Sequence, residues 1–345
     1  MRAVAGRQQF LKKEKKARHE VSAITEDFER AASPLRGELL AHCYQMLGSV
    51  HDAEDLVQET MLRAWRARGQ FDGRRASLRT WLHRIATNAC LTALQARSRR
   101  PLPAGLGAPG DDPREPFRPG HEVPWLQPLP DALVRPGGPG DPAAALLARG
   151  TLRLALVAAM QLLPPRQRAV LILREVLGLP AAEVADMIGA TTPAVHSALQ
   201  RARATLARAG IGEDEVDEPA DPAGRGLVDR YIAAFERADV PALMALLTDD
   251  AVLEMPPMLN WYAGRAAYGE FMVRVFDLRG PDWRMVPVAA NGQPAVAAYV
   301  RAGDGPYQMH TLQVFTTGRR GISHNVVYFA PELYASFGLA PQLSA

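Results

Sequence analysis

Ala194, His196, Ser197, Gln200, Arg201 and Arg203 fall on one arc of a helical pattern whose opposite arc carries Val195, Leu199, Ala202 and Leu206. Arg, Gln and Ser at such spacing can pair with base edges or phosphates, and a DNA major groove admits one α-helix. The residues just upstream supply a partner helix. Pro180 opens it, Val184 and Ile188 give it an inward face, and Gly189 permits a sharp exit. Thr192 is then expected to cap the second helix and Pro193 to start it. A generic helical hairpin would show the same periodicity, and His196 taken alone is an ordinary surface histidine.

Two further constellations flank this pair. Upstream, Ala53, Leu56, Val57, Thr60, Ala64 and Trp65 recur every three or four residues, which leaves Glu54, Asp55, Gln58 and Glu59 on another face. By itself that is a solvated acidic helix. Residues 61–100 then hold ten Arg against a single acid, Asp72, whereas residues 225–345 balance ten Arg with eleven acids. Charge concentrated in one segment attracts a polyanion, while the same charge spread evenly mainly aids solubility. Downstream, Glu254, Trp261, Tyr262, His310, His324 and Asn325 are candidates for lining a cavity. A general base must lie within hydrogen-bond reach of a substrate proton. Strand parity groups His310 with Gln308 and Leu312, and His324 with Ile322 and Val326, without fixing which face is concave. Each histidine is more readily structural, so no catalytic residue is assigned. Cys43 and Cys90 sit inside apolar helical patterns and read as buried thiols, with no disulfide framework, metal site or cofactor implied.

These groups need a scaffold of two or three domains, which 345 residues at 48% hydrophobic content can build. The formal charge is only +3. No run of 18 apolar residues and no signal-peptide core is visible, so a cytoplasmic protein without membrane contact is expected. The expected order is a basic arm (1–24, with Lys12, Lys13, Lys15 and Lys16), a helical domain (25–100) and a Pro/Gly-rich linker (101–142). A second helical domain (143–210), a short linker (211–224) and a C-terminal domain (225–345) follow. The linker carries one apolar island, Trp125–Leu126–Gln127–Pro128–Leu129–Pro130–Asp131, expected to dock on a folded surface. A second helical run, Leu78–Trp81–Leu82–Ile85–Ala86–Ala89–Cys90, starts after a plausible cap at Ser77. In the last region helices near Leu227–Arg237, Val240–Leu247 and Arg265–Phe276 join strands near Ala251–Met255, Trp283–Val288, Ala295–Arg301, Tyr307–Thr316 and Gly321–Phe329. That pattern predicts an α+β domain with a curved sheet.

The series Asp52–Ala53–Glu54–Asp55–Leu56–Val57–Gln58–Glu59–Thr60, Phe71, Leu78–Arg79–Thr80–Trp81–Leu82 and Ile85–Ala86–Thr87–Asn88 continues in Leu163–Pro164–Pro165–Arg166–Gln167–Arg168 and the helix–turn–helix. Together residues 25–100 and 143–209 resemble the extracytoplasmic-function group of bacterial RNA polymerase sigma factors. The Trp125–Asp131 island and Met255–Pro256–Pro257–Met258, followed by Trp261–Tyr262 and Gly264, look like the subgroup with a fused SnoaL-like domain. The resemblance implies all-α sigma-2 and sigma-4 domains plus a C-terminal α+β cone of the NTF2-like kind.

By this resemblance the chain confers promoter recognition on core RNA polymerase, contacting its β′ and β subunits and promoter DNA. Asp52, Glu54, Asp55, Gln58 and Glu59 would meet a coiled coil of β′. Asp72, Arg75, Arg79, Trp81 and Asn88 would hold the opened −10 strand, where aromatic and cationic groups suit a splayed base; Trp81 could instead be core. Thr192, Ala194, His196, Ser197, Gln200, Arg201 and Arg203 would read the −35 duplex. Thr92 stands where relatives often carry Asp, which implies altered local salt bridging. The linker would follow the polymerase channel. The C-terminal domain would pack against the sigma domains or their linker and modulate activity, with any small-molecule ligand unknown. The alternatives are an autonomous helix–turn–helix regulator, or a SnoaL-like enzyme tethered to a DNA-binding module.

Overall fold

The computed structural model describes residues 28–96, 99–134, 150–209 and 222–344. The expected basic arm, the whole of the linker after Val134, the first residues (143–149) of the expected second helical domain and the segment before Pro222 lie outside them. A first helical lobe is built from α1 (Arg36–Leu47), α2 (Val50–Ala67) and α3 (Leu78–Ala93). Gly48 ends α1 in the left-handed region (φ 69°), and the next residue, Ser49, caps α2 by accepting from Asp52 N at 3.2 Å. Ser77 caps α3 in the same way, from Thr80 N at 3.0 Å, as its position predicts. Leu39, Met46, Val57 and Leu82 meet in the core, and Cys43 and Cys90 are buried free thiols.

The linker island starts a short helix, α4 (Asp131–Val134), and the second lobe follows. It comprises α5 (Leu154–Met160), α6 (Pro165–Leu171) with a π turn at Ile172–Val176, α7 (Ala181–Ile188) and α8 (Thr192–Arg208). Gly189 (φ 61°) provides the exit from α7. Two caps differ from the sequence expectation. Pro180 is the cap of α7 and not its first residue. Thr191, not Thr192, caps α8, because its backbone is extended (φ −98°, ψ 154°) and its hydroxyl accepts from Ala194 N at 3.3 Å. Buried Arg168 joins the lobes by donating to Met46 O of α1 and to Gln161 Oε1. Burial pushes its guanidinium down to about 10.

The C-terminal domain runs α9 (Pro222–Glu236), α10 (Val240–Ala245), β1 (Leu247–Glu254), β2 (Trp261–Ala263), α11 (Arg265–Arg279), β3 (Trp283–Ala290), β4 (Gln293–Val300), β5 (Tyr307–Gly318), β6 (Gly321–Tyr328), α12 (Pro331–Tyr334) and β7 (Gln342–Leu343). The sheet order is β2-β1-β6-β5-β4-β3, with β7 added to β5. Only β1 and β6 are parallel. The edge strands β2 and β3 do not pair, so this is an α+β domain on an open sheet. β2 was not expected; three residues are too few to show alternation.

The Pro/Gly linker is not a free spacer. Leu126 and Leu129 are fully buried, and Gln127 Oε1 accepts from Ser49 Oγ (2.8 Å) and Val50 N (3.0 Å) at the start of α2. A Cβ at Gly48 would lie 2.9 Å from Leu126 Cδ1 on a left-handed backbone, so a side chain there would press on the island and strain the turn. Earlier linker amides find acceptors on the sheet domain: Gly110 N bonds Trp261 O on edge strand β2 (2.8 Å), and Gly120 N bonds Pro257 O (2.8 Å). An exposed strand edge is thereby covered.

The β3–β4 turn joins all these parts. Asn291 (φ 60°) and Gly292 (φ 69°) have the paired positive φ of a two-residue hairpin turn. The tip is buried against both lobes. Asn291 Oδ1 accepts from Leu129 N (2.9 Å), and its Nδ2 donates to Tyr44 Oη (2.8 Å) and Leu152 O (2.7 Å). Gly292 N donates to Asp131 Oδ1 (2.8 Å), and Gln293 Oε1 accepts from Leu154 N (2.7 Å). Asn291→Ala removes three side-chain bonds and places a Cβ residue without a compensating polar group in the left-handed region. We expect a loss of about 2–4 kcal/mol. Hydrogen exchange should quicken at 126–134 and 150–157 while β5 and β6 stay protected.

Candidate nucleic-acid interface

The recognition face on α8 is present as a surface. Val195, Leu199 and Ala202 are buried, while Ala194, His196, Ser197, Gln200, Arg201 and Arg203 are exposed and Thr192 is half-buried. Arg203 is held by Glu175 from the π turn. On the acidic face of α2, Asp55 and Gln58 are exposed, and Glu54 and Glu59 are half-buried. Glu59 pairs with Arg63 at 2.6 Å. Asp52 Oδ2 accepts from Arg100 Nη2 at 2.7 Å, with both side chains only 18% exposed.

The basic stretch is less uniform than its composition suggests. Asp72 organises its own loop, accepting from Arg74 N at 3.0 Å and pairing at 3.6 Å with Arg75, whose side chain is 88% exposed. Arg79 is not a free cation. Its guanidinium grips the carboxylate of buried Glu38 on α1, with Nε 2.8 and 2.9 Å from the two oxygens. Trp81 is half-buried against Phe71, ring centroids 5.2 Å apart. Asn88 Nδ2 donates to Arg84 O (2.9 Å) and to Met187 O on α7 (3.3 Å), and Arg84 pairs with Asp186 at 2.8 Å. The helix expected to handle single-stranded DNA therefore packs against the first helix of the duplex-reading pair. Sequence reasoning counted Arg84 only as one of the ten arginines of the basic segment and missed Asp186, since an exposed Arg and an exposed Asp carry no signal that they meet.

The six C-terminal candidates do not share one cavity. A small cavity of about 40 Å³ lies between the sheet, α9 and α11, and His310 and Asn325 line it with Tyr231, Tyr268 and Gln313. Asn325 Nδ2 donates to Tyr268 Oη at 2.7 Å. His310 is held down to about 4 by burial, then by Arg279. Glu254 and His324 point away from it because they alternate with Leu253 and Asn325, which line it. They pair with each other at 2.7 Å, and Glu254 also accepts from linker Ala104 N at 2.6 Å. Trp261 Nε1 donates to linker Gly107 O (3.1 Å), and Tyr262 packs on Phe271.

Three sequence families match in succession: Sigma-70 region 2 at residues 33–100, Sigma-70 region 4 at 153–206, and SnoaL-like domain at 228–322. The ECF RNA polymerase sigma factor SigG of Mycobacterium tuberculosis H37Rv is 50% identical over 321 residues, 92% of this chain and 85% of that protein. The chain belongs to the ECF sigma factors. SigJ of the same organism is 30% identical over 217 residues, 63% of this chain and 61% of that protein. The crystal structure of M. tuberculosis SigJ has the same fold, with TM-score 0.61 at 22% identity, covering 92% of this chain and all of that one. This ECF sigma factor thus carries region 2, region 4 and an accessory SnoaL-like domain. No helix of the described residues is long and apolar enough to cross a membrane.

Behind Arg79 the region-2 core holds two histidines packed edge to face, His42 and His83, with ring centroids 5.3 Å apart. Burial lowers both, His42 further through the charge of His83, while Glu38 opposes the shift at His83. A folded-state pKa below the unfolded value means that the unfolded chain binds more protons. This stability is therefore complete above about pH 6.5 and is lost as pH falls toward the folded pKa. Each ring contributes up to about 1.4 kcal/mol per pH unit within that window. Chemical denaturation between pH 7.5 and 5 should show that His83→Gln flattens this slope relative to the parent.

Proposed function

We propose that this sigma factor engages core RNA polymerase through Asp52, Glu54, Asp55, Gln58 and Glu59 and reads promoter DNA with two surfaces. Asp72, Arg75, Trp81 and Asn88 would hold the −10 strand, with Arg79 fixing α3 to α1 beneath them. Thr192, Ala194, His196, Ser197, Gln200, Arg201 and Arg203 would lie along the −35 duplex. Supporting this reading, the polar arc of α8 faces outward from a closed core while its cap and turn hold the helix rigidly. The SnoaL-like domain, with its NTF2-like sheet, acts as an internal restraint.

The observation that carries the restraint is the contact of α3 with α7. Positions named −10 and −35 lie about 25 base steps apart, or about 85 Å of duplex at about 3.4 Å per step. Helices in direct contact cannot serve both elements at once. The lobes must separate before initiation, and the Asn291–Gly292 turn bridges them in the closed form. In polymerase-binding and promoter-initiation assays Asn291→Asp should raise both signals, since a carboxylate cannot donate to Tyr44 Oη or Leu152 O. Truncation after Ala209, which removes the restraint entirely, should do the same if the helical lobes stay folded by circular dichroism. Lower or unchanged initiation by a folded Asn291→Asp protein sinks the restraint. Strong specific duplex binding with no dependence on core polymerase would instead favour an autonomous regulator.

A second outcome separates reading from holding. Arg201→Ala should weaken holoenzyme binding to −35 duplex by about 1–3 kcal/mol with relaxed preference at one base if the guanidinium contacts a base edge. If it contacts phosphate, all sequences weaken together and the salt slope falls by about one. Binding titrations at several salt concentrations distinguish the two. Loss of neither affinity nor slope removes Arg201 from the interface.

A further inference from the structure

A crevice of about 380 Å³ opens where the end of region 2, the linker island and the SnoaL-like domain come together. It is separate from the small central cavity, and Phe329 borders both. Its size falls in the range of small-molecule sites, which favour domain junctions. One wall is apolar and aromatic, formed by Trp125, Pro256, Pro257 and Phe329. Tyr328 is also part of the wall, and its buried hydroxyl has no hydrogen-bond partner. Arg100 supplies the sheltered charge, donating to Asp52 Oδ2 (2.7 Å) and Trp125 O (3.2 Å). The lining also holds His121 and one acid, Glu332, both exposed. Water screens the field of Glu332, whereas Arg100 is mostly buried and its attraction is screened less.

We propose that this crevice is a binding site for a small amphipathic organic carboxylate, its apolar body against Trp125 and Phe329 and its anion on Arg100. The consequence follows from what Arg100 already holds. A carboxylate from outside competes with Asp52 for the guanidinium, and Asp52 belongs to the face assigned above to polymerase. Occupancy would therefore loosen the linker island at Trp125 and weaken the hold of Arg100 on Asp52 at the docking face. This consequence, unlike the site, rests on the proposed polymerase-binding role of α2.

Full-length protein is titrated calorimetrically with indole-3-acetate and 4-phenylbutyrate and with their primary amides. At least one acid should bind saturably at one per chain, at least tenfold tighter than its amide. Arg100→Gln should abolish the preference for acid over amide. Ala330→Trp and Val123→Trp, which fill the crevice from opposite sides, should abolish binding in protein whose circular dichroism is unchanged. Asn325→Leu, in the central cavity, should leave binding as it was. Absence of saturable binding, or binding that survives both fillers, overturns the site. In a core-polymerase competition assay the acid should raise affinity for the parent and leave Asp52→Asn unresponsive. Crevice binding with no change in polymerase affinity keeps the site and overturns its link to Asp52.

Discussion

A buried backbone polar group must be hydrogen-bonded, and this requirement governs how the three parts of the chain meet. Before Asp131 the linker island lies in neither a helix nor a named strand, so its amides need partners supplied from elsewhere. Leu129 N finds Asn291 Oδ1, and Leu129 O accepts from Asn291 N at 2.9 Å. The same side chain then satisfies Leu152 O at the entrance to the second lobe and Tyr44 Oη in the first. Asparagine suits this role because it offers acceptor and donors on one planar group and tolerates the left-handed backbone of the turn. The hairpin tip thus acts as a template on which separately folded segments become mutually ordered.

The contacts between lobes differ in kind. The Arg84–Asp186 pair is well exposed at both ends, and pairs of this sort are worth about 0–1 kcal/mol. It fixes orientation more than it supplies stability. Arg168, by contrast, is buried and bound to carbonyls from α1 and from its own lobe. Glu38 and Arg79 form a similar internal tie within region 2. The cations of this chain therefore divide into structural ones under the surface and presented ones, Arg75 and Arg201 among them, that remain available to a polyanion.

Much of this organisation was legible in the residues. Periodicity located α2, α3 and the α7–α8 pair, and Ser77 announced its helix. The sequence pattern also found the five long strands, although β1 begins at Leu247, before its expected start. The shortfalls have physical causes. Thr191 and Thr192 are both competent caps, and only the backbone at Thr191 decides between them. Composition counted Arg79 with the basic field, although its partner Glu38 lies 41 residues away and shows no local pattern. The six proposed cavity residues split because strand parity tells which residues share a face but not which face is enclosed. Glu254 accordingly turned out to hold the linker, with His324 paired to it.

The difference between apolar and polar contacts also sets the order in which the closed form can come apart. Leu126 and Leu129 are fully buried, and burying such side chains stabilises by about 1.5–3 kcal/mol each. The hydrogen bonds of the Asn291 turn contribute about 0.5–1.5 kcal/mol each, because water replaces them once the tip withdraws. An intermediate in which one partner is removed while the other stays buried is penalised more heavily than full withdrawal. The turn therefore releases as a unit and not bond by bond. Gln127 and Leu126 can remain on the start of α2 through that step, since Ser49, Val50 and Gly48 hold them independently of the turn. Separation of the lobes is thus compatible with a linker that stays anchored to region 2 and limits how far region 4 can travel.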